Sequence, residues 1–222
     1  MTRSQPGAEA TAARLRARGF EPVVAPILEI KPLADARVDL SGVAAIAFTS
    51  ANGVRAFAER SHERGLKVFA VGKATADAAR EARFGSVLST DGDVKALAAA
   101  LARRKREIKG AILHPGAAEP AGDLAGELEP HGVEVRTLAL YESVPAALPE
   151  GFAEALPGLW GVLVYSPKAA RALAQLLKKT PAPQLRAFCL SKAVARPLAR
   201  AGLAERLPAP APNEEALLGL LG

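Results

Sequence analysis

The stretch Leu138-Ala-Leu-Tyr-Glu-Ser-Val-Pro145 decides how the rest of the chain is read. It is a short apolar strand with a tyrosine and a glutamate near its end, stopped by a proline that cannot donate to a ladder. A weaker counterpart, Pro26-Ile-Leu-Glu-Ile-Lys-Pro32, lies far upstream. Each is approached through an Ala/Leu-rich helical segment and a Gly-led turn, Arg18-Gly-Phe-Glu-Pro-Val-Val24 in one case and His131-Gly-Val-Glu-Val-Arg136 in the other. Two matched strands, each closing an α/β unit and each ending at a proline, read as paired crossings between two lobes. Tyr141 then stands beside a cleft between those lobes.

Outward from these strands, short apolar runs alternate with Ala-rich helical segments, the pattern of a parallel α/β fold. Strands are expected at 44–48, 67–71, 86–88, 111–113, 134–141, 161–165, 186–190 and 205–207. Helices are expected at 9–18, 52–60, 73–82, 94–102, 121–129, 167–177, 192–201 and 214–220, the last capped by Asn213 with acids in its first turn. The pattern also repeats. Phe48-Thr-Ser-Ala-Asn-Gly-Val-Arg-Ala-Phe57 matches Val164-Tyr-Ser-Pro-Lys-Ala-Ala-Arg-Ala-Leu173, and Val71-Gly-Lys-Ala-Thr-Ala76 matches Leu190-Ser-Lys-Ala-Val-Ala195. Duplication of one α/β lobe explains both. At the other end, Thr2-Arg3 precedes a turn and a helix, where a strand should lead in; either that strand is very short or the start codon is misassigned.

Composition narrows the function. Aromatic residues are only 5% of the chain while half of it is hydrophobic, so the core is built of Ala, Leu and Val, as for helices on a parallel sheet. One cysteine permits no internal disulfide and fits a reducing cytoplasm. No long uncharged apolar run is present to span a bilayer, and the first residues have no apolar signal region. The formal charge of +6 admits nucleic acid, an anionic surface or an acidic small molecule. The one dense basic run, Arg103-Arg-Lys-Arg-Glu-Ile-Lys109, sits at a helix C-terminus, where cations complement the dipole. Without aromatic interleaving or zinc-ligand spacing it does not read as a nucleic-acid surface.

In parallel α/β sheets ligands bind past the carboxyl ends of the strands. Those tips are rich here in small and hydroxyl residues: Thr2-Arg3-Ser4, Thr49-Ser50-Ala51-Asn52, Gly72-Lys73-Ala74-Thr75, Ser166-Pro167-Lys168 and Ser191-Lys192. Each opens a helix, so each offers free N–H groups at the positive end of a dipole. For one tip, ordinary capping is explanation enough; tips in two lobes together suit a ligand with many negative charges. Other catalytic signatures are missing. His62, His114 and His131 stand apart without carboxylate or metal spacing and read as surface or turn residues. Cys189 falls inside a buried strand, and neither a P-loop nor a Gly-x-Gly-x-x-Gly fingerprint occurs. A site on this chain then works by shape and dipoles.

These features resemble the uroporphyrinogen-III synthase family over essentially the whole chain. The carriers are Thr2-Arg3 with Gly7, Phe48-Thr-Ser-Ala-Asn-Gly-Val54, Ala70-Val-Gly-Lys-Ala-Thr-Ala76, Leu138-Ala-Leu-Tyr141 with Pro145, and Val164-Tyr-Ser-Pro167. This chain has Ser191-Lys-Ala-Val194 where the family often has Gly-x-x-Thr, and His114-Pro115 where an arginine is common. The resemblance implies two flavodoxin-like parallel-sheet lobes joined by a two-stranded linker. One lobe would be 1–30 plus 146–222, the other 33–139, with linkers at about 28–32 and 140–145. It implies a cofactor-free, cytoplasmic, monomeric lyase that closes hydroxymethylbilane with inversion of ring D and loss of water. Tyr141 would assist departure of the hydroxyl. The eight substrate carboxylates would meet Thr2, Arg3, Thr49, Ser50, Asn52, Gly72, Lys73, Thr75, Ser166, Lys168, Ser191 and Lys192. A two-lobed binding module for a polyanionic metabolite shares the hinge and the tips but needs no tyrosine at the crossing.

Overall fold

A computed structural model describes residues 1–5, 7–90 and 92–222. In chain order the elements are α1 (Gly7–Arg16), β1 (Leu28–Pro32), β2 (Val43–Phe48), α2 (Ala51–Ala58), β3 (Lys67–Ala70), α3 (Lys73–Glu81), β4 (Val87–Ser89), α4 (Val94–Arg103) and β5 (Ala111–Ala117). They continue with α5 (Leu124–Leu128), β6 (Val135–Pro145), α6 (Phe152–Ala155), β7 (Gly161–Val164), α7 (Pro167–Lys179), β8 (Arg186–Cys189), α8 (Lys192–Ala195), β9 (Glu205–Pro208) and α9 (Glu214–Leu218). The chain divides into two compact units, Met1–Ile30 with Ser143–Gly222, and Lys31–Glu142.

One sheet has the order β1-β6-β5-β2-β3-β4. Its β2–β3, β2–β5, β3–β4 and β5–β6 pairings are parallel. Beside β6, Leu33 N–H donates to the Leu140 carbonyl and Ala146 N–H to that of Ile27. Their residue numbers run in opposite senses, so this pairing is antiparallel and the sheet is mixed. The second sheet, β7-β8-β9, is wholly parallel. The fold class is therefore α/β, as the alternation of apolar runs and Ala-rich segments predicts. No helix among the described residues is long and apolar enough to cross a membrane.

Each sheet is covered on both faces, which is why its strands are nearly continuous apolar runs. In the Lys31–Glu142 unit, Ala45, Ala47, Phe69 and Ile112 pack against Leu97 and Leu101 of α4 and Leu124 and Leu128 of α5. Phe48 meets Phe57 of α2 and Phe84 edge-on, with ring centres 5.9 and 5.8 Å apart, and Phe57 and Phe84 are tilted against each other at 6.0 Å. In the other unit successive residues of β7 serve opposite faces. Val162 and Val164 join Leu173, Leu177 and Leu185, whereas Leu163 joins Met1, Leu15, Phe188 and Leu217.

Helix starts follow capping chemistry. Asp93, Asp123 and Asn213 accept from Ala96, Gly126 and Ala216, satisfying N–H groups that have no helical partner. Several expected boundaries shift for this kind of reason. The helix expected over 121–129 begins only after the Asp123 cap. The one expected over 192–201 stops at Ala195 and continues as a 3₁₀ turn, because Pro197 cannot donate back into an α-helix. The strand expected to end at Tyr141 runs unbroken to Pro145. The short α6, behind left-handed Gly151, has too few residues to show a helical period. At the N-terminus residues 1 and 2 are not a full strand, yet Thr2 N–H reaches the Leu163 carbonyl and Met1 accepts from Ala25.

Candidate active site

The chain leaves β2 through Thr49 and Ser50 and turns directly into α2. Ser50 is extended, and its Oγ accepts from Gly53 N–H at 3.0 Å, capping the helix. That cap brings α2 very close to β5: a Cβ on Gly53 would stand 2.8 Å from the Pro115 carbonyl oxygen. Only glycine permits the approach. Its consequence is a hydrogen bond of 3.0 Å between Thr49 Oγ1 and His114 Nε2. On the other side of β5, the register with β6 shifts between Gly116 and Ala117, so that Ala117 faces Tyr141. The Tyr141 hydroxyl lies 3.0 Å from Ser50 Oγ. Thr49 and Ser50 just past the end of β2, His114 within β5 and Tyr141 within β6 thus form two adjoining pairs.

Burial sets their chemistry. Tyr141 is 5% exposed, and loss of solvent raises its pKa, with the Ser50 hydrogen bond opposing that in part. The phenol stays protonated across the neutral range and is a proton donor. His114 is 2% exposed; burial lowers its pKa, against a smaller upward pull from the Asp123 carboxylate. Its imidazole is neutral at pH 7, one nitrogen donating and the other accepting. Thr49, Ser50 and Asn52 are half-buried, and the Asn52 side-chain oxygen accepts from Arg55 at 3.1 Å.

His114 corrects an expectation. It is not a surface or turn residue but a buried member of β5 whose ring meets Thr49. His62 and His131 are exposed. The signal that could have found His114 is its place directly after the apolar Ala111-Ile-Leu113, at a strand tip.

The remaining tip residues have other positions. Gly72 begins α3 without a side-chain cap, Thr75 is buried in the helix, and Lys73, well exposed, pairs with Asp77 at 2.6 Å. In the Met1–Ile30 and Ser143–Gly222 unit, Ser166 caps α7 by accepting from Ala169, and Lys168 is half-buried in its first turn. Ser191 caps α8 through Val194, beside an exposed Lys192. Thr2 is buried, its hydroxyl donating to the Leu163 carbonyl at 2.7 Å. Arg3 donates to Glu214 and Thr11, each at 3.0 Å, and lies over the Tyr165 ring. Glu214 also takes hydrogen bonds from Thr11 and Arg14, and one from the Tyr165 hydroxyl at 3.2 Å. Burial and the Glu214 charge push the Tyr165 pKa well above the usual phenol range. This second cluster was missed because Asn213-Glu214-Glu215 is fully accounted for as a cap and first turn. Cys189 is buried, and burial pushes its thiol up to about 11, so it packs rather than reacts.

The chain matches the family model described as uroporphyrinogen-III synthase HemD over residues 9–219. No curated protein matches it. Among solved structures it is similar to the uroporphyrinogen-III synthetase of Helicobacter pylori 26695, with a TM-score of 0.66 at 19% identity, covering 91% of this chain and 92% of that one. It is also similar to a mutant uroporphyrinogen III synthase of the extremely thermophilic bacterium Thermus thermophilus, with a TM-score of 0.54 at 20% identity over 100% and 98% of the two chains. At these identities the two structures speak for the fold.

Proposed function

The chain belongs to the uroporphyrinogen-III synthase family, and we propose that Tyr141 is the residue with which it assists the cyclisation. Members of the family are cyclising lyases that close hydroxymethylbilane to uroporphyrinogen III with loss of water. The observation that supports the assignment is the 3.0 Å contact between Ser50, just past the end of β2, and Tyr141 of β6.

In the proposed sequence the terminal hydroxymethyl C–O bond breaks as the adjacent pyrrole nitrogen feeds electrons into it. The leaving hydroxide takes the phenol proton and departs as water. Ser50 then serves as the donor that supports the phenolate oxygen. Ring D attacks the azafulvenium carbon through its substituted position, and the spiro species fragments and recloses with that ring inverted. The proton lost when the last pyrrole regains aromaticity returns to Tyr141, so the cycle closes without net proton change. Positioning supplies most of the selectivity; one general acid adds a factor of about 10² to 10⁴. No cofactor takes part in this scheme.

Thr49, Asn52 and the opening N–H groups of α2 are the proposed carboxylate contacts nearest Tyr141, since a helix N-terminus favours anions. Thr2, Gly72, Thr75, Ser166, Lys168, Ser191 and Lys192 remain proposed contacts for the other carboxylates. Arg3 and Lys73 are weaker candidates than their charge alone implies, because each is paired with an internal carboxylate. We further propose a cytoplasmic monomer that binds no nucleic acid. The test is incubation with freshly prepared hydroxymethylbilane and separation of type I from type III product. Excess type III over an enzyme-free control is expected; type I alone at the control rate overturns the reading.

A further inference from the structure

Side chains alternate faces along a strand. On β2, Ala45 and Ala47 pack with Ile112 of β5 on the face that α4 and α5 cover. Thr49 follows Ala47 by the same period and His114 follows Ile112, so these two polar residues continue a face that is otherwise apolar. The strands are parallel, with Ala45 beside Ile112 and Ile46 beside Leu113. Continuing that register sets Ala47 beside His114 and Thr49 one pleat further on. The imidazole bridges that step, with Nε2 3.0 Å from Thr49 Oγ1.

Thr49 and Ser50 are adjacent hydroxyls with different commitments. Ser50 Oγ accepts from Gly53 N–H and pairs with the Tyr141 hydroxyl. Thr49 is half-buried, and its side-chain hydrogen bond among the described residues is the one to His114. One hydroxyl proton and one ring nitrogen allow two arrangements. Either Thr49 O–H donates to a bare Nε2, or Nε2–H donates to Oγ1 and leaves the threonine proton for another acceptor. The ring is neutral, since burial lowers its pKa against the smaller upward pull of Asp123, so both arrangements are open to it.

We propose that His114 is a positioning residue for ligand binding: its Nε2–H donates to Thr49 Oγ1 and so turns the threonine proton toward a substrate carboxylate. This rests on the reading of Thr49 as a carboxylate contact. In the opposite arrangement Thr49 would present only lone pairs, which repel a carboxylate. With Nε2 as donor, a chain of hydrogen bonds runs from the ring through the hydroxyl to the ligand. Each link polarises the next in a setting of low dielectric, and the last link is charge-assisted. His114 is 2% exposed, so it acts through Thr49 and not by touching the ligand.

The experiment measures hydroxymethylbilane kinetics for the full chain and for Thr49→Val, His114→Leu, the double variant and His114→Gln, with thermal midpoints alongside. Thr49→Val and His114→Leu should each raise KM about tenfold, the worth of one charge-assisted hydrogen bond, with a much smaller change in kcat. The double variant should be no worse than either single change, because both remove the same link. His114→Gln keeps an N–H near the Nε2 position and should recover most of the affinity. Nitrogen NMR of the histidine rings in the complex with uroporphyrinogen III should show His114 protonated at Nε2. Thr49→Val is isosteric and leaves the buried ring in place, so it tests the link even where His114→Leu lowers the midpoint. Losses that multiply in the double variant, an unchanged KM in Thr49→Val, or a bare Nε2 in the complex overturn the proposal. Where the unmodified chain still forms type III product, such a result removes only the role of His114; where it forms none, the proposed reaction falls as well.

Discussion

Ser50 Oγ and the Tyr141 hydroxyl, 91 residues apart in sequence, lie 3.0 Å apart. Ser50 is also the cap of α2, so a single oxygen serves helix and phenol together. Ser50→Ala should therefore have two separable effects. Loss of the cap should cost about 1 kcal/mol and a few degrees of thermal midpoint. Loss of the hydrogen bond, which opposes the effect of burial, should move the Tyr141 titration still higher and slow turnover. Ultraviolet titration of the tyrosines and hydroxymethylbilane kinetics read the second effect. Ser50→Asn restores a capping side chain, and should recover the midpoint but not the rate.

Stability should fall as the pH is lowered from 8. Burial lowers the pKa of the Met1 amine from 8.0 to about 6 and lowers that of His114 from 6.5. For both groups the unfolded chain binds protons that the folded chain resists, so the stability is present at high pH and lost on acidification. The Met1 contribution, on the order of 2–3 kcal/mol, fades between pH 8 and about 6; that of His114 begins to fade near 6.5. Urea unfolding at pH 8.5, 7.0 and 6.0 should show the decline, and Nα-acetylation should flatten its upper part. Parallel curves for the two forms would contradict the assignment to Met1.

Glu214 holds α1, α9 and the end of β7 together through Arg3, Arg14, Thr11 and Tyr165. Glu214→Ala should destabilise by about 1–3 kcal/mol, since it strands partly buried donors. Lys73→Ala, which removes an exposed pair with Asp77, should change stability by no more than about 0.5 kcal/mol. Chemical denaturation of the two variants provides the comparison. Equal effects would mean that the Glu214 cluster is no more than another surface ion pair.

The α/β class was legible because burial on both faces of a strand forces continuous apolar runs such as Val43–Phe48, and because Ser50, Asp93, Ser166 and Asn213 announce helix starts by chemistry that is local. Strand tips rich in hydroxyls could be located for the same reason. What sequence does not carry is which tips meet. The Thr49–His114 contact depends on the close approach of Gly53 to Pro115, and a lone histidine followed by proline reads as a turn. Arg3 looked like a free cation for a ligand because Glu214, its partner, is 211 residues away. Its own neighbours explain that glutamate as a helix-dipole acid. Local rules reach a few residues; both clusters are made by tertiary packing.

The most direct measurement is the turnover of hydroxymethylbilane by Tyr141→Phe, with spontaneous type I closure subtracted. The change keeps the ring and its packing and deletes the donor, which acts mainly in the transition state. The rate should fall by roughly ten- to several-hundred-fold with the fold intact, and type III should still dominate the enzymatic product because ring inversion depends on positioning. Turnover equal to that of the unmodified chain would contradict the account and leave Tyr141 as a packing residue.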